Sequence, residues 1–188
     1  MSELLAILTA FGISAPAGLN AYVPLLLVGI TARFTSWITL NDPFTWLTNE
    51  WVLLGLALLF GVEFFADKIP GVDHANDVLN TVLRPAAGAI LFAAAGNVIS
   101  EIHPALAILL GVLAAGSVHA VKATARPVVT ALTFGIATPV VSAIEDVLAG
   151  TTTILAIVAP LLLLLPLASA AVVIAWWWRG APKPRPSV

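Results

Sequence analysis

The sequence predicts an all-α fold, a polytopic membrane helix bundle of about six transmembrane spans, with a broken or re-entrant first segment and a short interfacial amphipathic helix. Three observations predict it. Of 188 residues, 60% are hydrophobic and only 10% charged, against about 25% charged in soluble domains. Mean hydropathy is +1.04. The apolar residues also fall into runs close to the roughly 20 needed to cross about 30 Å of hydrocarbon at 1.5 Å per residue. Eight basic and ten acidic side chains cannot cover a soluble domain of this length, so lipid is the expected solvent.

The runs place spans at about 4–33, 51–67, 86–100, 104–122, 128–147 and 152–178, which makes 1–178 a single helical domain. The opening Met1-Ser2-Glu3 has no basic region, so the first span is expected to act as its own targeting signal. Between spans one and two, Trp37, Asn41, Asp42, Pro43 and Trp46 form an interfacial loop. From about 72 to 84, Val72, Val78, Leu79 and Val82 alternate with Asp73, His74, Asp77 and Asn80, the pattern of an amphipathic helix lying along the interface. The proline-rich stretch 179–188 reads as an extended cytoplasmic tail.

Orientation follows from the basic residues. Lys68, Arg84, Lys122, Arg126, Arg179, Lys183 and Arg185 share one side of this arrangement, leaving Arg33 with Asp42, Glu50, Glu101, His103, Glu145 and Asp146 on the other. The expected location is the bacterial cytoplasmic (inner) membrane, multi-pass, with N-terminus and C-terminus cytoplasmic. A re-entrant first segment would move only the N-terminus.

The first segment, Glu3 to Arg33, would be about 46 Å long as one helix, more than the bilayer core. Its middle holds Ser14, Pro16, Gly18 and Asn20, followed by Pro24. Proline removes a backbone donor and clashes with the preceding turn, so the helix should break there. Interrupted helices present partial charges at their ends and often mark transport sites; the alternative is a packing kink. Phe134-Gly135-Ile136-Ala137-Thr138-Pro139 in the fifth span resembles Phe11-Gly12-Ile13-Ser14-Ala15-Pro16. Both would run outward, although apolar sequence produces such matches without duplication.

Glu63 and Asp67, at i and i+4, share a face of span two beside Lys68. Glu63 lies about 7 Å inside Lys68 by helix rise, where an unpartnered charge costs about 2.5–3.5 kcal/mol. His119, Lys122 and Arg126 make a basic stripe at the same depth on span four. These acidic and basic faces are natural partners. Glu63 would exchange a proton or ion, while Arg84, Lys122 and Arg126 are candidates for an anionic lipid headgroup; interfacial anchoring by snorkelling is the alternative. Gly88, Ala89 and Ala93 mark span three as a tightly packed helix, with its small-residue face available for a homo-oligomer contact, and Gly29 and Gly61 read as further packing positions.

No cysteine is present and net charge is only −2, which excludes disulfides and thiolate sites and argues against nucleic acid. Phosphate loops, zinc motifs and nucleophile elbows are missing, so no metal, no cofactor and no enzymatic activity are expected. The stretches Gly18-Leu-Asn-Ala-Tyr-Val-Pro24, Glu63-Phe-Phe-Ala-Asp-Lys-Ile-Pro-Gly-Val-Asp73 and Arg84-Pro-Ala-Ala-Gly88 resemble a bacterial integral-membrane family catalogued only as a domain of unknown function. That resemblance implies a helical membrane protein and brings no substrate. The expected function is a small transporter, channel or exchanger for an ion, a small solute or a lipid-linked anion, with membrane lipids around it. The alternative is a non-transporting scaffold or accessory subunit, or a lipid-phosphate binding protein. Glu63→Gln should separate these by removing flux without unfolding the chain.

Overall fold

The computed structural model describes residues 3–66, 72–95, 102–165, 168, 169, 172 and 176, with side chains of 72–77 outside that description. Among the described residues every regular element is helical: α1 (Glu3–Ser14), α2 (Tyr22–Phe34), α3 (Glu50–Ala66), α4 (Val72–Ala94), α5 (Pro104–Thr133) and α6 (Thr138–Val158). Short 3-10 turns lie at Ala15–Gly18, Phe44–Thr48 and Pro160–Leu163.

The break in the first segment is present, and it reverses the chain. Leu8 and Phe11 line a groove with Leu110 and Leu113 of α5, whereas Lys122 of α5 reaches the carbonyl of Leu19, so α1 runs parallel to α5. α2 then returns: Arg33 at its far end pairs with Glu50 at the start of α3, and Asn41 N–H donates to Ala94 O at the end of α4 (3.1 Å). α1 and α2 are thus two arms of a hairpin with its tip at 15–21. Each arm has only 12 or 13 residues, about 20 Å of helix. A single outward crossing by 4–33 is replaced by this hairpin because Pro16 and Asn20 end one helix and start the next.

Three other boundaries differ from the sequence reading. The interfacial helix at 72–84 and the span at 86–100 are one element, α4, continuous through Pro85 as far as Ala94. Likewise α5 runs through Pro127 and absorbs the expected connection near 122–128. A helical proline costs about 3 kcal/mol in isolation, and at Pro85 burial of α4 against α5 outweighs it. The fifth span is interrupted instead at Phe134 and Gly135, both left-handed (φ 51° and 80°), where Gly135 N–H closes the end of α5 on Thr130 O (3.0 Å). Phe134-Gly135-Ile136 therefore lies at a hairpin tip, whereas Phe11-Gly12-Ile13 lies within α1, ahead of the 3-10 turn that makes the first tip.

α4 and α5 cross antiparallel with their backbones in contact. A Cβ on Gly111 would lie 2.7 Å from Ala89 Cα, and one on Gly88 would lie 2.6 Å from Gly111 O, so only hydrogen fits at either position. The small-residue face of α4 is consequently used within the chain, correcting its assignment to an oligomer contact. Gly29 is a packing position, against Leu47 O, but Gly61 has nothing within 4 Å and is not. Around the crossing the core is mostly alanine (Ala10, Ala17, Ala21, Ala87, Ala115, Ala156) with Ile13, Leu91 and Phe92. Phe11 meets Phe92 edge-on, ring centres 4.9 Å apart.

Apolar side chains cover the outside of the bundle as well as its core. Leu54, Leu58, Val62, Leu109, Leu113, Val140 and Ile144 are exposed, whereas Asn20, Glu63, Asn80, Arg84 and His119 are buried. α5 and α6 are long and apolar enough to cross a membrane, and only 17% and 22% of their most apolar stretches are buried by the protein itself. The rest is exposed apolar surface of the kind that a membrane covers.

Candidate functional site

The site is assembled at one level of the bundle by the hairpin tip and four helices. Leu19 and Asn20 N–H both fold back onto Pro16 O (2.9 and 3.2 Å), and Asn20 Oδ1 accepts from Tyr22 and Val23 N–H (2.9 and 3.0 Å). This makes Asn20 the N-cap of α2. Pro24 sits in the first helical turn, where its missing N–H leaves nothing unsatisfied. Gly18 packs on α5, its absent side chain leaving room for Val118 and His119 N. That close approach puts Leu19 O within 2.8 Å of Lys122 Nζ.

Each half-helix end at the tip meets an appropriate charge. Lys122 lies on the carbonyl that follows α1, and Asn20 Nδ2 donates to Asp146 Oδ1 (2.8 Å) beside the N-terminus of α2. A cation at the negative end and a carboxylate near the positive end both favour the broken geometry. Ser14 Oγ donates to Ala10 O within its own helix (2.7 Å), so Ser14 serves the backbone at the break.

Beside the tip is a buried ion pair. Arg84 is 0% and Glu63 2% exposed, with Arg84 Nη2 3.1 Å from Glu63 Oε1. Asn80, one turn before Arg84 on the same face of α4, donates to that same oxygen (2.9 Å). Arg84 Nη1 is 3.1 Å from His119 Nδ1. A guanidinium has no acceptor, so Nδ1 must accept and the ring proton sits on Nε2, 3.3 Å from Thr81 Oγ1. A second group adjoins it: Lys122 Nζ and Arg126 Nη2 both approach Glu145 Oε2, at 2.8 and 3.9 Å.

The sequence matches, across residues 7–180, the family described as Domain of unknown function (DUF4126). The chain belongs to that family. No curated protein and no solved structure matches it. In this DUF4126 chain the matched region takes in the hairpin tip and every cluster residue from Asn20 to Asp146.

Several expected site residues converge in this DUF4126 chain: Asn20, Glu63, His119, Lys122 and Arg126 meet at the tip. Asp67 and Lys68 lie outside the described residues, so the expected Glu63–Asp67 pair is not part of the described site. Three corrections concern partners. Glu63 pairs with Arg84 of α4 rather than with the stripe on α5 directly. Glu145 and Asp146, expected on the opposite side from the basic residues, pair with Lys122 and Asn20. Arg84, expected as a headgroup anchor, is fully enclosed.

Gly18 is a packing position against α5. Thr138 and Pro139 open α6 just after the α5–α6 turn, where Thr138 Oγ1 is 3.5 Å from Thr130 Oγ1, about 10 Å of helix rise from Glu145. Among the described residues no three His, Asp or Glu side chains converge as a metal site. Sequence reasoning missed Asn80 and Glu145. Their signals were the i, i+4 spacing of Asn80 to Arg84 and two adjacent carboxylates inside an otherwise apolar run.

Proposed function

We propose that this chain is a small integral-membrane transporter or exchanger that handles an ion, a small solute or a lipid-linked anion at the cluster around Glu63 and Arg84. The observation that carries the reading is a buried, multi-helix charge cluster at the tip of a hairpin too short to cross a bilayer. Charges at that depth are costly and mark pathways, and paired half-helix ends are a recurrent way of building a substrate site. The reading places the protein in a bacterial cytoplasmic membrane, with the tip end cytoplasmic because Arg84, Lys122 and Arg126 lie toward it. The hairpin then puts the N-terminus on the opposite side.

That topology is directly testable, because the chain has no cysteine. Single-cysteine variants Glu3→Cys and Ile136→Cys are expected to react with a membrane-impermeant maleimide from opposite sides of the membrane. Labelling of both from the same side would rule out the hairpin orientation.

Flux is the test of function. Glu63→Gln alone does not serve, since it leaves Arg84 buried against a neutral amide. The double variant Glu63→Gln with Arg84→Met removes both charges and leaves a neutral amide facing Asn80. Proteoliposomes holding the wild-type chain are expected to dissipate an imposed gradient of protons, K⁺ or inorganic phosphate, and those holding the folded double variant to lose that flux. A second reading, an accessory subunit, is favoured by charge balance: Arg84, Lys122 and Arg126 stand against Glu63, Glu145 and Asp146. Absence of flux for all three probes, with another membrane protein copurifying stoichiometrically, would decide for it.

A further inference from the structure

The inward face of α6 changes character halfway along. Thr138, Ser142, Glu145, Ala149, Thr153 and Ala156 recur on it at helical spacing. Beyond Glu145, away from the α5–α6 turn, this stripe is closely packed. Ala149 and Ala156 are fully enclosed, Thr153 Oγ1 donates to Ala149 O of its own helix (2.7 Å), and a Cβ on Gly12 would lie 2.6 Å from Ala156 Cβ. Between Glu145 and the turn the stripe is polar, and there α5 and α6 meet through polar atoms. Thr130 Oγ1 lies 3.5 Å from Thr138 Oγ1, and Arg126 Nη2 lies 3.9 Å from Glu145 Oε2. Ser142, about one turn from each along α6, is therefore level with the stretch of α5 between Arg126 and Thr130.

Ser142 is 1% exposed, yet its Oγ has no hydrogen-bond partner among the described residues. Thr133 and Thr153 satisfy their hydroxyls on the carbonyl one turn back, at Val129 O and Ala149 O; Ser142 does not. A buried hydroxyl is costly without a partner, and water is what commonly supplies one. We infer that the interior of the α5–α6 hairpin, from Thr130 and Thr138 past Ser142 to Glu145, is a narrow aqueous route by which water and protons reach the charge cluster. The spacing fits single waters. Successive turns of α6 set Thr138, Ser142 and Glu145 about 5.4 Å apart, a gap that one water bridges with two hydrogen bonds of about 2.8 Å. Glu145 in turn lines a cavity of about 320 Å³ with Lys122 and Leu19, large enough to hold water beside its carboxylate.

The packed stretch from Ala149 to Ala156 closes the route at its other end, so the cluster is reached from the side of the α5–α6 turn alone. The inference rests on the transport reading in taking the chain to span a membrane, and it deepens that reading by naming the side on which the site is open. Access to water is independent of flux.

The test is the reactivity of single thiols in the full-length chain, which has no cysteine of its own, toward silver ion added to sealed membrane vesicles of one orientation. Thiols left unreacted are counted with a maleimide after denaturation. Ser142→Cys is nearly isosteric and is expected to react from the side that labels Ile136→Cys. Its rate should exceed that of the enclosed Thr153→Cys by about a hundredfold, since a thiol in dry packing reacts only through local opening. Ser142→Ala gives a second readout that needs no reagent. In a dry contact, loss of an unbonded hydroxyl raises the unfolding temperature, whereas on an aqueous route it brings no gain. Equal rates at the two thiols, reaction of Ser142→Cys only from the opposite side, or a stabilised Ser142→Ala would each overturn the route. A reactive Ser142→Cys without flux would sink the transport reading alone, and flux with an inert Ser142→Cys would sink this one alone.

Discussion

Arg84→Met is expected to lower stability by about 3–5 kcal/mol, and adding Glu63→Gln to recover most of that loss. Arg84 is fully enclosed and Glu63 nearly so, so removing one partner leaves the other as a buried charge opposite a neutral group. Removing both eliminates the desolvation of two ions, and substitution of buried pairs by neutral groups is often harmless to folding. The asymmetry between the single and the double variant is the signature of a direct pair. Thermal unfolding of the two proteins in the same detergent would show it, and a double variant no more stable than Arg84→Met would mean that Glu63 is not the partner that matters. The same double variant then separates stability from function: if it folds and has lost flux, the pair is present for what the protein does.

At the α4–α5 crossing even one methyl group should be felt. Gly111→Ala would place a Cβ 2.7 Å from Ala89 Cα and 2.8 Å from Gly88 C, backbone atoms that can move only by separating the helices. Overpacking of this kind costs about 1–3 kcal/mol, and Gly111→Leu is expected to prevent assembly of the bundle. Gly61→Ala is the matched control: it changes the same residue type inside α3, where a Cβ meets nothing. A fall in unfolding temperature for Gly111→Ala beside an unchanged or higher one for Gly61→Ala is the expected result. Equal behaviour of the two would contradict the close crossing.

Both predictions concern contacts that the order of residues along the chain only partly discloses. The helix break was legible, because Pro16 and the small residues around it act locally through lost donors and steric clash. Whether the chain continued or turned back was not. That depends on Gly18 seating against α5, about a hundred residues away in sequence, and on Asn20 capping α2 while bonding to Asp146. The prolines at 85 and 127 misled in the opposite direction: α4 continues through Pro85 into the buried stretch 87–89, and α5 continues through Pro127 although the helix there is largely exposed. Glu63 stood out as an acid inside an apolar run, but its partner Arg84 was hidden in what reads as an interfacial helix. Only with α4 continuous do Asn80 and Arg84 lie inside the bundle.

Composition and apolar periodicity by themselves determined that the chain is helical, that its helices carry more apolar surface than its core can bury, and where its first helix fails. Those properties arise from each residue's transfer energy and from sterics within a turn or two, which sequence records directly. Tertiary structure alone decided that the first segment is a hairpin, that Arg84 rather than the α5 stripe answers Glu63, and that Glu145 faces Lys122. These are questions of register between helices, and register is set by which small residues let two backbones touch, a property of pairs of surfaces rather than of any one stretch of chain.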